Sequence, residues 1–237
     1  MARKGTIAVE EACLHPGGVE QHAKTASFFS PGTDFKTHPL TQALLDIQDD
    51  RLARMDATGV EYMLLSLTAN GPQGEPDPAK AQEIASSAND WLSQQVSLNP
   101  QRFGGLASLS MHDAKTASKE LTRAVKDLGM FGAILNDYQE VWKDGGEEGK
   151  VYYDGEEYDS FWKTVEELDV PVYLHPRYPA PVELAEGSKY GPGHRHLLGA
   201  AVQFHLDLSF HVYALMSCGI FDRYPKLQIV IGHLGEG

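Results

Sequence analysis

Chemistry-bearing residues recur just past the apolar runs of this chain. Glu10 and Glu11 follow the β-branched run Thr6–Val9. Ser66 and Asn70 close Val60–Leu67, and Ser110 and His112 follow Phe103–Leu109. Asn136 and Asp137 follow Phe131–Leu135, His175 and Arg177 follow Pro171–Leu174, and His233 and Glu236 follow Leu227–Ile231. In a parallel α/β fold the carboxyl ends of the strands open on one face, where ligands bind. A lone histidine such as His175 is more often a core residue satisfied by a carbonyl. Two histidines, several carboxylates and an arginine gathered at strand ends point to a site. Glu10 and His175 offer a hard oxygen and an imidazole from different strands, a donor set suited to one divalent ion: Mn²⁺, Mg²⁺ or Zn²⁺. His233 and Glu236 form a dyad in which the carboxylate fixes the imidazole tautomer and raises its basicity, leaving the other nitrogen for proton transfer. Asn136 can donate to a substrate oxygen, and Arg177 joins it as a candidate for substrate binding. Glu11 reads as a surface carboxylate, and His112 as an N-terminal helix residue beside Asp113.

The elements that must hold these residues alternate. Each strand-like run is followed by a helical pattern: Leu40–Thr58 with Leu45, Leu52 and Met55 on one face; a helix opened by Asp77-Pro78 and running through Val96; another after Asp113; Tyr158–Leu168; and a long helical region from His196 to Gly219. An aspartate followed by proline is a strong helix start, and a terminal glycine a common stop. Cys13–Pro39 reads as a long functional loop with His15, His22 and His38 exposed to solvent, and Lys143–Gly155 as a surface loop. Six βα alternations without hairpin signals predict a parallel sheet, as a barrel or a doubly wound sheet. The absence of Gly-x-Gly-x-x-Gly after any strand weakens a dinucleotide reading.

The chain has 237 residues, 42% hydrophobic and 22% charged, with a formal net charge of −13. That is ordinary globular composition with no basic patch for nucleic acid or an anionic membrane. Cys13 and Cys218 are too few and too far apart for a disulfide framework, which suits the cytoplasm. The greasiest stretch, Leu197–Phe221, is broken by His205, Asp207 and His211 and makes a poor membrane span.

At these residues the sequence resembles the amidohydrolase superfamily, specifically its non-oxidative aromatic-acid decarboxylases. The resemblance rests on Val9-Glu-Glu-Ala12, Gly132-Ala-Ile-Leu-Asn-Asp137, Leu174-His-Pro-Arg177, and Phe221-Asp-Arg-Tyr-Pro-Lys-Leu-Gln228 running into Gly232-His-Leu-Gly-Glu236. Asn136-Asp137-x-Gln139, Ser209-x-His211-Val212 and Ala12 resemble fungal 2,3-dihydroxybenzoate decarboxylases; γ-resorcylate decarboxylases carry histidine at the position of Ala12. The resemblance implies a (β/α)₈ TIM-type barrel, here with six βα units, forming a homodimer or homotetramer. It implies one divalent metal on Glu10 and His175, proton handling by His233 and Glu236, and Asn136 in the pocket of a small aromatic carboxylic acid with a hydroxyl ortho to the carboxylate. The family's last metal-ligand aspartate lies on the eighth strand, so the expectation is a C-terminally truncated barrel domain over residues 1–237. Two alternatives remain open: a metal-dependent lactone or amide hydrolase of the same superfamily, and a non-catalytic fragment.

Overall fold

The structure is a computed structural model that describes residues 5–233. Glu236 lies outside the described residues. Six parallel strand positions follow one another in chain order. β1 (Thr6–Cys13) pairs with β2 (Val60–Leu67), and β2 with β3 (Phe103–Gly105). β4 (Ala107–Ser108) pairs with β5 (Ala133–Asn136), β5 with β8 (Val172–His175), and β8 with β9 (Ile229–Ile231). β3 and β4 are one strand interrupted at Leu106. The Leu106 amide donates to Leu65 O at 2.9 Å and that of Ala107 to Gly132 O at 2.9 Å, so this strand joins the two sheets. Parallel strands in sequence order, with helices between them, are the pattern of a TIM-type barrel.

The helices are α1 (Val19–Ala26), α2 (Pro39–Leu45), α3 (Asp50–Thr58), α4 (Pro78–Leu98), α5 (Ala114–Lys126), α6 (Asp159–Leu168), α7 (Gln203–Ser217) and α8 (Ile220–Arg223). Ala88 and Leu92 of α4, Leu121 of α5, and Phe161 and Trp162 of α6 join Leu135, Val172 and Leu174 of the strands in the main core. Successive strand residues face opposite ways. Accordingly Ile134 and Tyr173 leave that core and form a second cluster with Leu106. His175, two residues beyond Tyr173, shares its face. The caps expected at Asp77 and Asp113 are formed: Asp77 Oδ1 accepts from the amides of Ala79 and Lys80, and Asp113 Oδ1 from that of Thr116 at 2.8 Å.

Four expectations are corrected. The helix expected over Leu40–Thr58 is two, because Asp46 turns extended and its carboxylate accepts from the amides of Asp49 and Arg51, closing α2 before α3 begins. Lys143–Gly155 is not a plain loop: β6 (Gln139–Trp142) and β7 (Glu148–Val151) form an antiparallel hairpin. Its turn uses Gly145 and Gly146 at positive φ, which spares those positions any side-chain clash. The Cys13–Pro39 stretch contains α1, and His22 on that helix is buried at 7% exposure, not solvent-facing. The helix expected from His196 begins only at Gln203, after short 3₁₀ turns. Among the described residues no helix is long and apolar enough to cross a membrane.

Candidate metal centre and active site

Register brings the site together. In the β5–β8 pair Asn136 stands opposite His175, and Gly232 continues the β8–β9 ladder by donating its amide to Leu174 O at 2.9 Å. His233 therefore follows beside His175. It adopts φ 54°, an uncommon conformation for a residue with a Cβ. On the far side β1 supplies Glu10. Its Oε1 lies 3.2 Å from His175 Nε2 and 2.8 Å from His233 Nε2. The two imidazole rings stand 5.0 Å apart and nearly perpendicular, at 87°. Donor atoms from Glu10, His175 and His233 all lie within 4.8 Å of one another. One carboxylate and two imidazoles at that spacing fit a divalent transition ion.

Glu10 is half-buried, and burial alone would raise its pKa. Hydrogen bonds from His175 and Tyr173, with the charges of His175 and His233, outweigh this and hold it at about 2. The carboxylate is thus ionised and ready to bind a cation. Tyr173 Oη donates to Glu10 Oε2, fixing the oxygen that does not face the histidines. The His175 Nδ1 contacts Pro176 O, which leaves Nε2 toward Glu10. Phe204 of α7 packs edge-on against both imidazoles, 6.4 Å from His175 and 5.5 Å from His233, and Tyr178 lies 5.8 Å from Phe204. These residues line a pocket with Ala12, Ser66 and Ile134.

The remaining candidates lie in a buried polar network beside this pocket. Asn136 is buried. Its amide nitrogen Nδ2 donates to Asn70 O at 3.1 Å and to Gln73 Oε1 at 3.3 Å, while its Oδ1 is buried with no partner among the described residues. Arg177 is 1% exposed. Its guanidinium ion-pairs with Glu140 and donates to Gln73 O at 3.0 Å and Tyr138 O at 2.9 Å. It is not among the residues lining the Glu10 pocket. Glu11 meets Arg51 at 3.5 Å and His112 contacts Glu75 O at 3.0 Å. Sequence reading overlooked Tyr173 and Phe204. Tyr173 was within reach, since a residue two before a strand-end ligand shares its face. Phe204 carried no such signal, because its place depends on how α7 crosses the strand ends.

A family model described as amidohydrolase matches residues 33–237. The γ-resorcylate decarboxylase of a Rhizobium species is 42% identical over 234 residues, covering 99% of this chain and 68% of that protein. The same-named enzyme of Rhodococcus jostii is 42% identical over 235 residues, again covering 99% and 68%. A crystal structure of 2,6-dihydroxybenzoate decarboxylase complexed with 2,6-dihydroxybenzoate superposes with a TM-score of 0.87 at 42% identity, covering 98% of this chain and 68% of that one. The dihydroxybenzoic acid decarboxylase of Polaromonas, solved with bound manganese and the inhibitor 2-nitroresorcinol, gives 0.86 at 42% identity, with coverage of 98% and 66%. The chain thus spans about two thirds of the length of these relatives. With the strand order, the carboxylate–imidazole cluster and this similarity in hand, the chain belongs to the amidohydrolase family, in its branch of aromatic-acid decarboxylases.

Proposed function

We propose that the chain decarboxylates ortho-hydroxybenzoates without an oxidant, using one divalent metal. The observation that carries this reading is the convergence of Glu10 of β1, His175 of β8 and His233 beyond β9, in a chain 42% identical to γ-resorcylate decarboxylases. Glu10 and His175 would hold the metal, and His233 lies close enough to serve as a third ligand or as the proton carrier; the proposal assigns it the proton. Bound there, the metal supplies a Lewis acid for the substrate's carboxylate and ortho oxygen.

The protein's own groups do the rest. Tyr173 orients Glu10, and Phe204 and Tyr178 wall off water from the ring. His233 protonates the ring carbon that bears the carboxylate. A new C–H bond forms and the ring becomes a cationic dienone. The bond to the carboxylate then breaks, its electron pair returns to the ring, and CO₂ leaves as aromaticity is restored. Asn136, with its free acceptor oxygen, is assigned to a substrate hydroxyl. Arg177 is assigned to holding the surrounding loops, because its donors are already engaged. The names of the relatives favour the 2,6-dihydroxy pattern over the 2,3 pattern that residues 136–139 suggested. The exposed apolar residues Leu206, Phe210, Tyr213 and Met216 on α7 support association of copies into a dimer or tetramer, and the free cysteines suit the cytoplasm.

The test is product analysis with Mn²⁺ and a panel of 2,6- and 2,3-dihydroxybenzoate, salicylate and aryl lactones. Resorcinol, catechol or phenol should appear with CO₂. His233→Ala should lower kcat by about 10²–10⁴-fold. An unchanged rate removes the proton role, and lactone turnover without decarboxylation replaces the reaction with hydrolysis.

A further inference from the structure

A second cavity adjoins the metal site, and the segment Leu67-Thr68-Ala69 lines both. It is a partly open cleft bounded by α1, the loop after β2 and α4, and has a volume of about 180 Å³. Leu14, Leu67, Ile84 and Ala88 give it apolar walls. A cavity of roughly 150 Å³ accepts a benzene ring, so this one has room for a single ring and one or two substituents.

His22 also lines it. The side chain is more than nine-tenths buried, and neither Nδ1 nor Nε2 has a hydrogen-bond partner among the described residues. Buried polar atoms are almost always paired, and an unpaired one is costly. Burial lowers the His22 pKa, so the ring is neutral and presents one donor and one acceptor. A phenolic hydroxyl, which both donates and accepts, matches either nitrogen. Charge narrows the choice further. Among the described residues no lysine or arginine lines the cavity, and the exposed Glu83 stands among its lining residues. A carboxylate would be buried there without a counter-charge, which is strongly unfavourable.

We infer that this cavity is a second ligand site for a neutral single-ring phenol, held by its hydroxyl on His22 and by its ring against Leu14, Leu67 and Ile84. The inference does not depend on the proposed reaction, although a neutral phenol is also what a hydroxybenzoate becomes on losing CO₂.

The test is NMR of the His22 ring nitrogens in the metal-free full chain during titration with phenol, resorcinol and benzoate. Phenol and resorcinol should shift the His22 signals saturably, and benzoate should not. Loss of one hydrogen bond should weaken phenol binding about tenfold in His22→Phe. Ser87→Trp, at an exposed lining position, should block entry while leaving His22 intact and so covers the case of a misfolded His22 variant. Glu10→Gln should leave the shift unchanged, since binding at the metal site is a separate event. Three results overturn the inference: no His22 shift with phenol, which leaves the cavity to water; equal binding of benzoate; or loss of the shift in Glu10→Gln.

Discussion

Glu10 is pulled in two directions by its neighbours. Its Oε1 meets His175 and His233, and its Oε2 takes the hydroxyl of Tyr173. The tyrosine thus does for a carboxylate what a hydrogen-bonded partner commonly does for a ligating histidine: it sets which lone pairs remain for the metal. Glu10→Gln should abolish stoichiometric Mn²⁺ binding. Tyr173→Phe should weaken it by about 10–100-fold, the usual effect of losing a partner behind a ligand. Calorimetric titration of Mn²⁺ into each variant checks both, and a Tyr173→Phe protein with unaltered affinity would mean the hydroxyl serves only packing.

At the scale of elements, the β5–β8 pairing decides whether Asn136 and His175 stand side by side. Gly132 enters this pair so tightly that a Cβ there would lie 2.2 Å from Pro171 O. Backbone cannot yield as a flexible side chain does. Gly132→Ala should therefore cost about 1–3 kcal/mol in urea unfolding, the range for overpacking, and lower metal occupancy with it. Helix α5 gives a pH-dependent case. Asp113 is subject to burial, which would raise its pKa, but the amide and hydroxyl of Thr116, the amide of Lys115 and the nearby His112 together outweigh this and the pKa is lowered. A carboxyl depressed on folding stabilises above its unfolded value, about 4, and that stabilisation is lost as pH falls through the folded value. Asp113→Ala should cost about 1 kcal/mol at pH 7, with the gap to wild type closing in acid. These capped helices and the parallel strands were legible because they depend on local chemistry: Asp77-Pro78, Asp113, β-branched runs. His175 was legible as a strand-end residue, and Glu10 by its matching chemistry, although β1 runs three residues past it to Cys13. The hairpin, the break at Asp46 and the burial of His22 were not. Each depends on contacts remote in sequence or on a turn whose glycines looked like loop composition. The polar network that engages Arg177 was hidden for the same reason, since Gln73, Glu140 and Tyr138 meet it only in the fold.

Over the whole molecule, the charge of −13 sets how a substrate arrives. A benzoate carries the same sign as the protein and is repelled on approach. Raising salt from about 10 to 150 mM shortens the Debye length from about 30 to 8 Å and screens that repulsion. If the proposed substrates are correct, kcat/KM should rise over this range in stopped-time assays, whereas a neutral lactone substrate would show no such rise.

The hairpin has its root and its tip in opposite environments. At the root, Gln139 is fully buried: its Oε1 accepts from Met111 N at 3.0 Å, and its Nε2 donates to Glu75 O at 3.0 Å. Glu140 takes the Arg177 guanidinium from the β8 end. At the tip, residues 142–148 are exposed and turn on two glycines. The β6–β7 hairpin is consequently a ready-made handle. A peptide tag or a recognition loop could be spliced between Asp144 and Glu147 while the bolted root keeps the disturbance from travelling to the metal site, which makes this turn the place to immobilise or redesign the protein.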